Sequence, residues 1–385
     1  MIAYNKVWLD NLLVRKEADS AASAHCLSPA EKEQIYSAYP VGFYHPHFFV
    51  RTGLFVLTVI IVAFTMGFFS LFIMDQLNNA GGFLVVIGML LYGALELMVN
   101  KRHYKSGVDD ALLWMAAGNI IAGINLLGNV TMQANAIIVF ILAVFFFIRF
   151  LNAVMAAVAG LALLAAVFFT VTRWGIMARA IVPFIIMAIA LLLYFFSRKQ
   201  LPLPANRHHT NGLQWLCVTA LVTVYAAGNY FVVREASVAM FNLVLNTGDD
   251  IPFAWLFWIF TIAIPLLYVV RGLQQKDILL LRTGLLLGAA VVFTIRYYYH
   301  LLPAETAMLL GGALLIAIAY FATRYLQLPK HGFTAAEQEN DLVLDKLQVE
   351  SLIITQSFSG QQLPADGGTR FGGGSGSGGG ASGEF

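Results

Sequence analysis

Of the 385 residues, 59% are hydrophobic and only 11% are charged, whereas an ordinary soluble domain carries roughly 25% charge. Together with a mean hydropathy of +0.75, this makes lipid the solvent for most of the chain and excludes a soluble globular domain. The net charge of +2 provides no basic field for nucleic acid, and two cysteines, Cys26 and Cys217, exclude a disulfide scaffold.

In chain order, residues 1–50 read as a cytoplasmic helical head. Trp8, Leu9, Leu12 and Leu13 form an apolar stripe on the first helix. Ser28-Pro29-Ala30-Glu31 is a capping box with Pro at the first helical position, and it starts a second helix that Pro40 stops near Tyr39. Two short helices cannot make a core of their own, so the head is expected to pack on the rest of the chain or on a partner.

A helix needs about 20 mostly apolar residues to cross a bilayer. Ten stretches meet this: 52–74, 80–99, 110–128, 132–148, 150–172, 177–196, 212–232, 252–270, 278–295 and 304–324. The third is the weakest, because Asn119 and Asn125 interrupt it. With the N-terminus inside, nineteen of the 23 Lys and Arg fall on the inner face, and Arg173, Arg179, Arg234 and Arg296 on the outer one. That bias predicts both termini in the cytoplasm and, in a bacterium, a multi-pass protein of the inner membrane.

The chain also shows signs of duplication. Gly160 to Thr170 lies over Gly284 to Thr294, Ala116-Ala117-Gly118-Asn119 over Ala226-Ala227-Gly228-Asn229, and Tyr194-Phe195 over Tyr320-Phe321, all in the same order. The expected architecture is an all-α polytopic transmembrane helix bundle. It comprises a transmembrane hairpin (51–100) and two four-helix repeats of the same orientation (109–200 and 211–326).

The tail, 327–385, carries an amphipathic stretch over 337–354 and becomes Gly-rich from about 360, a composition with too little to bury for an ordered fold. The ending Phe371-Gly-Gly-Gly-Ser…Gly-Gly-Gly-Ala381-Ser382-Gly383 resembles the Gly-rich tail of bacterial membrane proteins that carry a TPM domain. The TPM domain itself has no counterpart here, and Glu384-Phe385 stands where that family has Ser-Trp. The head from Trp8 to Pro40, followed by many spans, resembles bacterial polytopic membrane proteins of unknown function. Neither resemblance implies a catalytic residue; the tail implies a docking arm.

Ionisable groups within spans are costly and therefore informative. Glu96 lies near the inner end of the second span and is expected to snorkel toward Lys101 and Arg102. No Asp or Glu falls near the middle of a span, which weakens an ion-coupled carrier. Pro183 and Pro265 lie mid-span as candidate kinks. Asn119 and Asn229 occupy matching repeat positions and are expected to hydrogen-bond across the two units. At the outer ends, Arg173, Arg179 and Arg296 stand beside aromatics, including Tyr297 and Tyr298. These seven residues (Arg173, Arg179, Arg296, Tyr297, Tyr298, Asn119 and Asn229) are the candidate ligand-binding set, with the arginines matched to an anionic headgroup or solute. His45-Pro46-His47 and His208-His209 lack the companion ligands of a metal site, and no hydrolase or phosphate-loop motif occurs, so neither cofactor nor catalytic residue is assigned.

The leading expectation is a non-enzymatic interaction or structural component of a membrane assembly, contacting lipids and a protein partner through head and tail. The alternative is a transporter or lipid-handling protein with an outward-facing cavity between the repeats, lined by the Arg and Tyr residues.

Overall fold

The computed structural model describes residues 2–44, 46–73, 80–241 and 250–299, and the helical residues Thr306, Leu309, Gly312, Ala313, Ile316, Tyr320 and Arg324. The tail from 327, most of the expected tenth span, and the side chains of Arg179 and Tyr299 lie outside the described residues. The described part is all-α. Its helices are α1 (Lys6–Ser23), α2 (Pro29–Ala38), α3 (Phe48–Ile73), α4 (Ala80–Asn100), α5 (Val108–Leu127), α6 (Met132–Phe150), α7 (Ala153–Val171), α8 (Ala178–Gln200), α9 (Thr210–Gly228), α10 (Tyr230–Phe241), α11 (Ala254–Gln275) and α12 (Ile278–Tyr299). Eight of them are long and apolar enough to cross a membrane, and α9 with α10 passes the same test as a pair. The chain is thus a polytopic membrane protein.

Successive helices pack as hairpins, α4 on α5, α6 on α7, α8 on α9 and α11 on α12, while α7 also meets α9 and α3 leans on α5. Lipid tails supply no hydrophobic drive between spans, so close backbone approach matters. At the α4–α5 contact, a Cβ added to Gly123 would sit 2.6 Å from the Gly81 carbonyl oxygen, and one on Gly81 2.8 Å from that of Gly123. Gly107, before α5, takes φ +93 and abuts the Arg51 carbonyl, a position that a side chain would clash with.

The head forms as its local signals dictate and packs on the bundle. Asn5 caps α1 by accepting from Val7 N. The Ser28 amide and hydroxyl donate to Glu31 Oε2 (2.8 and 2.7 Å), which holds the Glu31 carboxyl below the usual carboxylate range. Of the expected stripe, Leu9 is buried and Leu12 packs against the core, but Leu13 is exposed. The anchoring apolar group is instead Tyr4, whose ring meets Tyr104 edge-on at 4.8 Å, with Phe43 between Trp8 and Tyr104. Ala3 N donates to the Arg149 carbonyl (2.9 Å), and Asp10 pairs with Arg207 (2.6 Å) and His208 (3.3 Å) in the α8–α9 connection.

One buried cluster joins the head to α4–α7, and a second joins α7 and α8 to α9, α11 and α12. The second therefore mixes helices from both expected quartets. Asn119 is inside α5 and donates to the Met115 carbonyl (2.7 Å), whereas Asn229 is extended between α9 and α10. The expected hydrogen bond between the two is not formed. Each finds a nearer partner, because a span's own carbonyls and neighbouring hydroxyls lie closer than the matching repeat position.

Candidate functional site: a broken helix above an apolar cavity

Because neighbouring helices are antiparallel, the loops that meet the head share one end of the bundle, and Asn229, Phe253 and Tyr298 lie at the far end. The sequence reading expects an unbroken span over 212–232. Instead the chain bends by 74° between α9 and α10. At about 1.5 Å per residue α9 runs about 28 Å, close to the roughly 30 Å of a hydrocarbon core. α10 accordingly lies across the far end, nearer the plane of the membrane than its normal.

A break at this depth must satisfy the backbone groups it releases. Asn229 does this as a helix cap, its Oδ1 accepting from Val232 N (3.1 Å) while its Nδ2 donates to Tyr225 Oη (2.8 Å) and Thr294 Oγ1 (3.0 Å). Tyr230 N donates to Thr261 Oγ1 (2.9 Å), whose own hydroxyl donates to the Phe257 carbonyl. Asn229, Thr261 and Thr294 are at most 2% exposed. Side chains from α9, α11 and α12 thus hold the bend, so it is a built feature of the fold.

Under the bend lies a cavity of about 180 Å³. Its walls are Phe168 of α7, Val182, Pro183 and Ile186 of α8, Ala226 and Ala227 of α9, and Val232, Val233 and Ala236 of α10. The two hydroxyls in the lining are Thr223, which donates to the Thr219 carbonyl, and Ser237. Apolar cavities of ~150 Å³ stay dry and take up apolar ligands. Val232 is 39% exposed, so the cavity reaches the protein surface beside α10.

Above the cavity an aromatic layer surrounds Arg234. Tyr230 stacks on Trp258 with centroids 4.7 Å apart and meets Tyr298 at 5.0 Å, and the Arg234 guanidinium lies 5.4 Å from the Tyr298 ring. Arg234 Nη1 is 3.8 Å from Glu235 Oε1, and Tyr230 Oη donates to Asp250 (2.8 Å). Arg234 Nε and Tyr298 Oη are both shielded from solvent and have no hydrogen-bond partner among the described residues.

The sequence-derived set is split by this geometry. Tyr298 and Asn229 belong to the site, Tyr298 in the aromatic layer and Asn229 in the bend. Tyr297 is 47% exposed at its rim, 4.8 Å from Phe231. Arg173 is exposed at the 172–177 turn, Arg296 is half-buried on α12, and Asn119 is far off in α5; none of these three lines the cavity. This cavity is apolar and has none of the candidate Arg or Tyr side chains in its lining. Pro183 stays within α8 and lines it. Arg234, Tyr230, Trp258, Thr261 and Thr294 were not singled out as a site. The available signal was Gly228-Asn229 inside an apolar stretch, a helix terminator followed by a preferred cap.

At the head end the carboxylates Glu96, Asp110 and Asp277 are paired with arginines. Glu96 accepts both guanidinium contacts of Arg149 (2.5 and 2.8 Å) and a bond from Tyr92 Oη (2.6 Å). This corrects the expected snorkelling to Lys101 and Arg102, because Arg149 on α6 faces Glu96 directly. Arg51 holds Asp110, to which Asn152 also donates, and Arg198 lies 2.6 Å from Asp277. Among the described residues no group of three His, Cys, Asp or Glu is placed to hold a metal ion. Burial keeps His208 below its ordinary pKa, against the pull of Asp10.

No protein-family model matches the chain, and the searches of curated proteins and of solved structures find no significant match.

Proposed function

We propose that this chain is a lipid-handling membrane protein that takes one acyl chain of a membrane amphiphile into the cavity beneath α10. The observation that carries this is the apolar cavity built under the broken span. It lies beside the end of α9, about one hydrocarbon thickness from the head end, and the polar groups of Asn229, Thr261 and Thr294 are committed to holding the bend. A solute carrier would need polar groups facing the space. The reading is of binding and exchange rather than catalysis. It places the protein in the bacterial inner membrane with head and tail in the cytoplasm, on the strength of the Lys and Arg bias. The duplicated sequence blocks support two four-helix units, with the cavity walled by α7 and α8 of the first and α9 and α10 of the second.

The test uses the full-length protein with a fatty-acyl photoprobe. Adducts are expected on α8 and on the α9–α10 segment, and Ala236→Phe, which fills the cavity, is expected to lower them at least about fivefold. Adducts spread evenly over lipid-exposed faces such as α3, and unchanged by Ala236→Phe, would overturn the reading.

A second reading, an interaction component of a membrane assembly, is favoured by α2. This helix is capped at its start yet has no fully buried side chain, only Lys32, Ile35 and Tyr36 being half-buried, with Tyr36 against Arg15 of α1. That leaves a face for a protein partner, and the Gly-rich arm would add a second contact.

A further inference from the structure

We propose that Arg234 and Tyr298 form the headgroup site for that amphiphile, and that it is a zwitterionic phospholipid. Its phosphate would sit on Arg234 Nε and Tyr298 Oη, and its ammonium would face Glu235. The inference deepens the lipid-handling reading and rests on it.

Three observations carry it. First, Arg234 and Tyr298 interact with each other, and neither Arg234 Nε nor Tyr298 Oη, both shielded, completes a well-formed hydrogen bond to any third group among the described residues. A guanidinium and a phenol that have only each other leave donor capacity unmet, which an acceptor with more than one oxygen would fill. Phosphate is that acceptor, and guanidinium suits it. Second, the position is right for a headgroup. α10 turns Val232, Val233, Ala236 and Ser237 toward the cavity, and helical spacing puts Arg234 on the flank beside the 233–237 edge. The stacked Tyr230 and Trp258 beside it are the aromatics that favour the membrane–water interface. Third, Glu235 is only loosely engaged, 43% exposed and 3.8 Å from the arginine, so its carboxylate is open to an ammonium. The other carboxylate nearby, Asp250, is taken up by Tyr230 Oη and its own Ile251 N. Next to one another on α10, Arg234 and Glu235 present the opposite charges in the order that a phosphoethanolamine headgroup would meet them.

The experiment displaces a photoactivatable phosphatidylethanolamine from the full-length protein. The competitors are unlabelled phosphatidylethanolamine, phosphatidylglycerol, diacylglycerol and inorganic phosphate. Phosphatidylethanolamine is expected to compete at least about tenfold better than diacylglycerol. Arg234→Gln and Tyr298→Phe are expected to erase that advantage while leaving diacylglycerol binding intact, which also shows that the variants fold. Glu235→Gln is expected to make phosphatidylglycerol compete as well as phosphatidylethanolamine. Equal competition by diacylglycerol in the unaltered protein would overturn the headgroup site while the acyl reading stands. Displacement by inorganic phosphate alone would mean a free-anion site and would overturn the lipid assignment. Labelling that ignores Ala236→Phe would defeat the acyl reading and this inference together.

Discussion

At the head end of the bundle, charges from the head, the helices and their connections are matched in pairs: Glu96 with Arg149, Asp110 with Arg51, Asp277 with Arg198, and Asp10 with Arg207. At the far end the helix is broken, aromatic rings replace ion pairs, a cavity opens, and an arginine and a tyrosine keep donors without partners. Both ends face the same physical problem, polar groups near lipid. The head end pairs its carboxylates with arginines, while His103 Nδ1, His209 Nδ1 and Gln214 Oε1 there are shielded without hydrogen-bond partners among the described residues. The far end solves only the backbone part, through Asn229 and the threonines, and leaves side-chain capacity over. The contrast sets a charge-paired platform against the end that the lipid-handling proposal reads as a site.

The sharpest way to break the comparison is to unpair the platform. Arg149→Ala strands Glu96, whose side chain is 24% exposed, and is expected to cost roughly 3 kcal/mol, read as thermal unfolding in detergent. Loss of less than a few tenths would mean that water already reaches the pair.

At the far end, Asn229→Leu removes the cap of α10 and leaves Val232 N without its side-chain acceptor. A cost of about 2 kcal/mol is expected, together with weakened acyl labelling, since the bend shapes the cavity. Retained labelling at full strength would mean that the bend is fixed elsewhere.

The smallest effect concerns head docking. Asp10→Asn breaks an exposed pair worth under ~1 kcal/mol. The pH dependence follows from His208. Its folded pKa lies below the ordinary value of about 6.5, so its contribution is present above that pH and is lost as pH falls through the folded value. Proteolysis of the head is therefore expected to be faster at pH 5.5 than at 7.5, with His208→Gln flattening the difference. Faster cleavage at the higher pH would show that the Asp10 pair outweighs burial.

Much of this was legible in the chain. The capping box at Ser28, the membrane-crossing helices, and the need of a two-helix head for a surface all follow from local patterns: helical spacing, cap chemistry and apolar run length. The polar partners did not follow. Glu96 looked bound to Lys101 and Arg102 because they are near in sequence, yet Arg149 is nearer in space. Asn229 looked like glue between units, yet its bonds go to Tyr225 and Thr294.

The sequence by itself determined that most of the chain suits lipid, which stretches are apolar enough to cross it, and that Asn229 is an unusual guest there, because transfer free energy and propensity are properties of short segments. Only the tertiary structure decided that the seventh span bends, that an apolar cavity lies beneath the bend, and that Arg234 stands beside Tyr298. Those depend on which side chains from α7, α8, α9, α10, α11 and α12 meet, and pairing between distant helices leaves no periodic mark in a single chain.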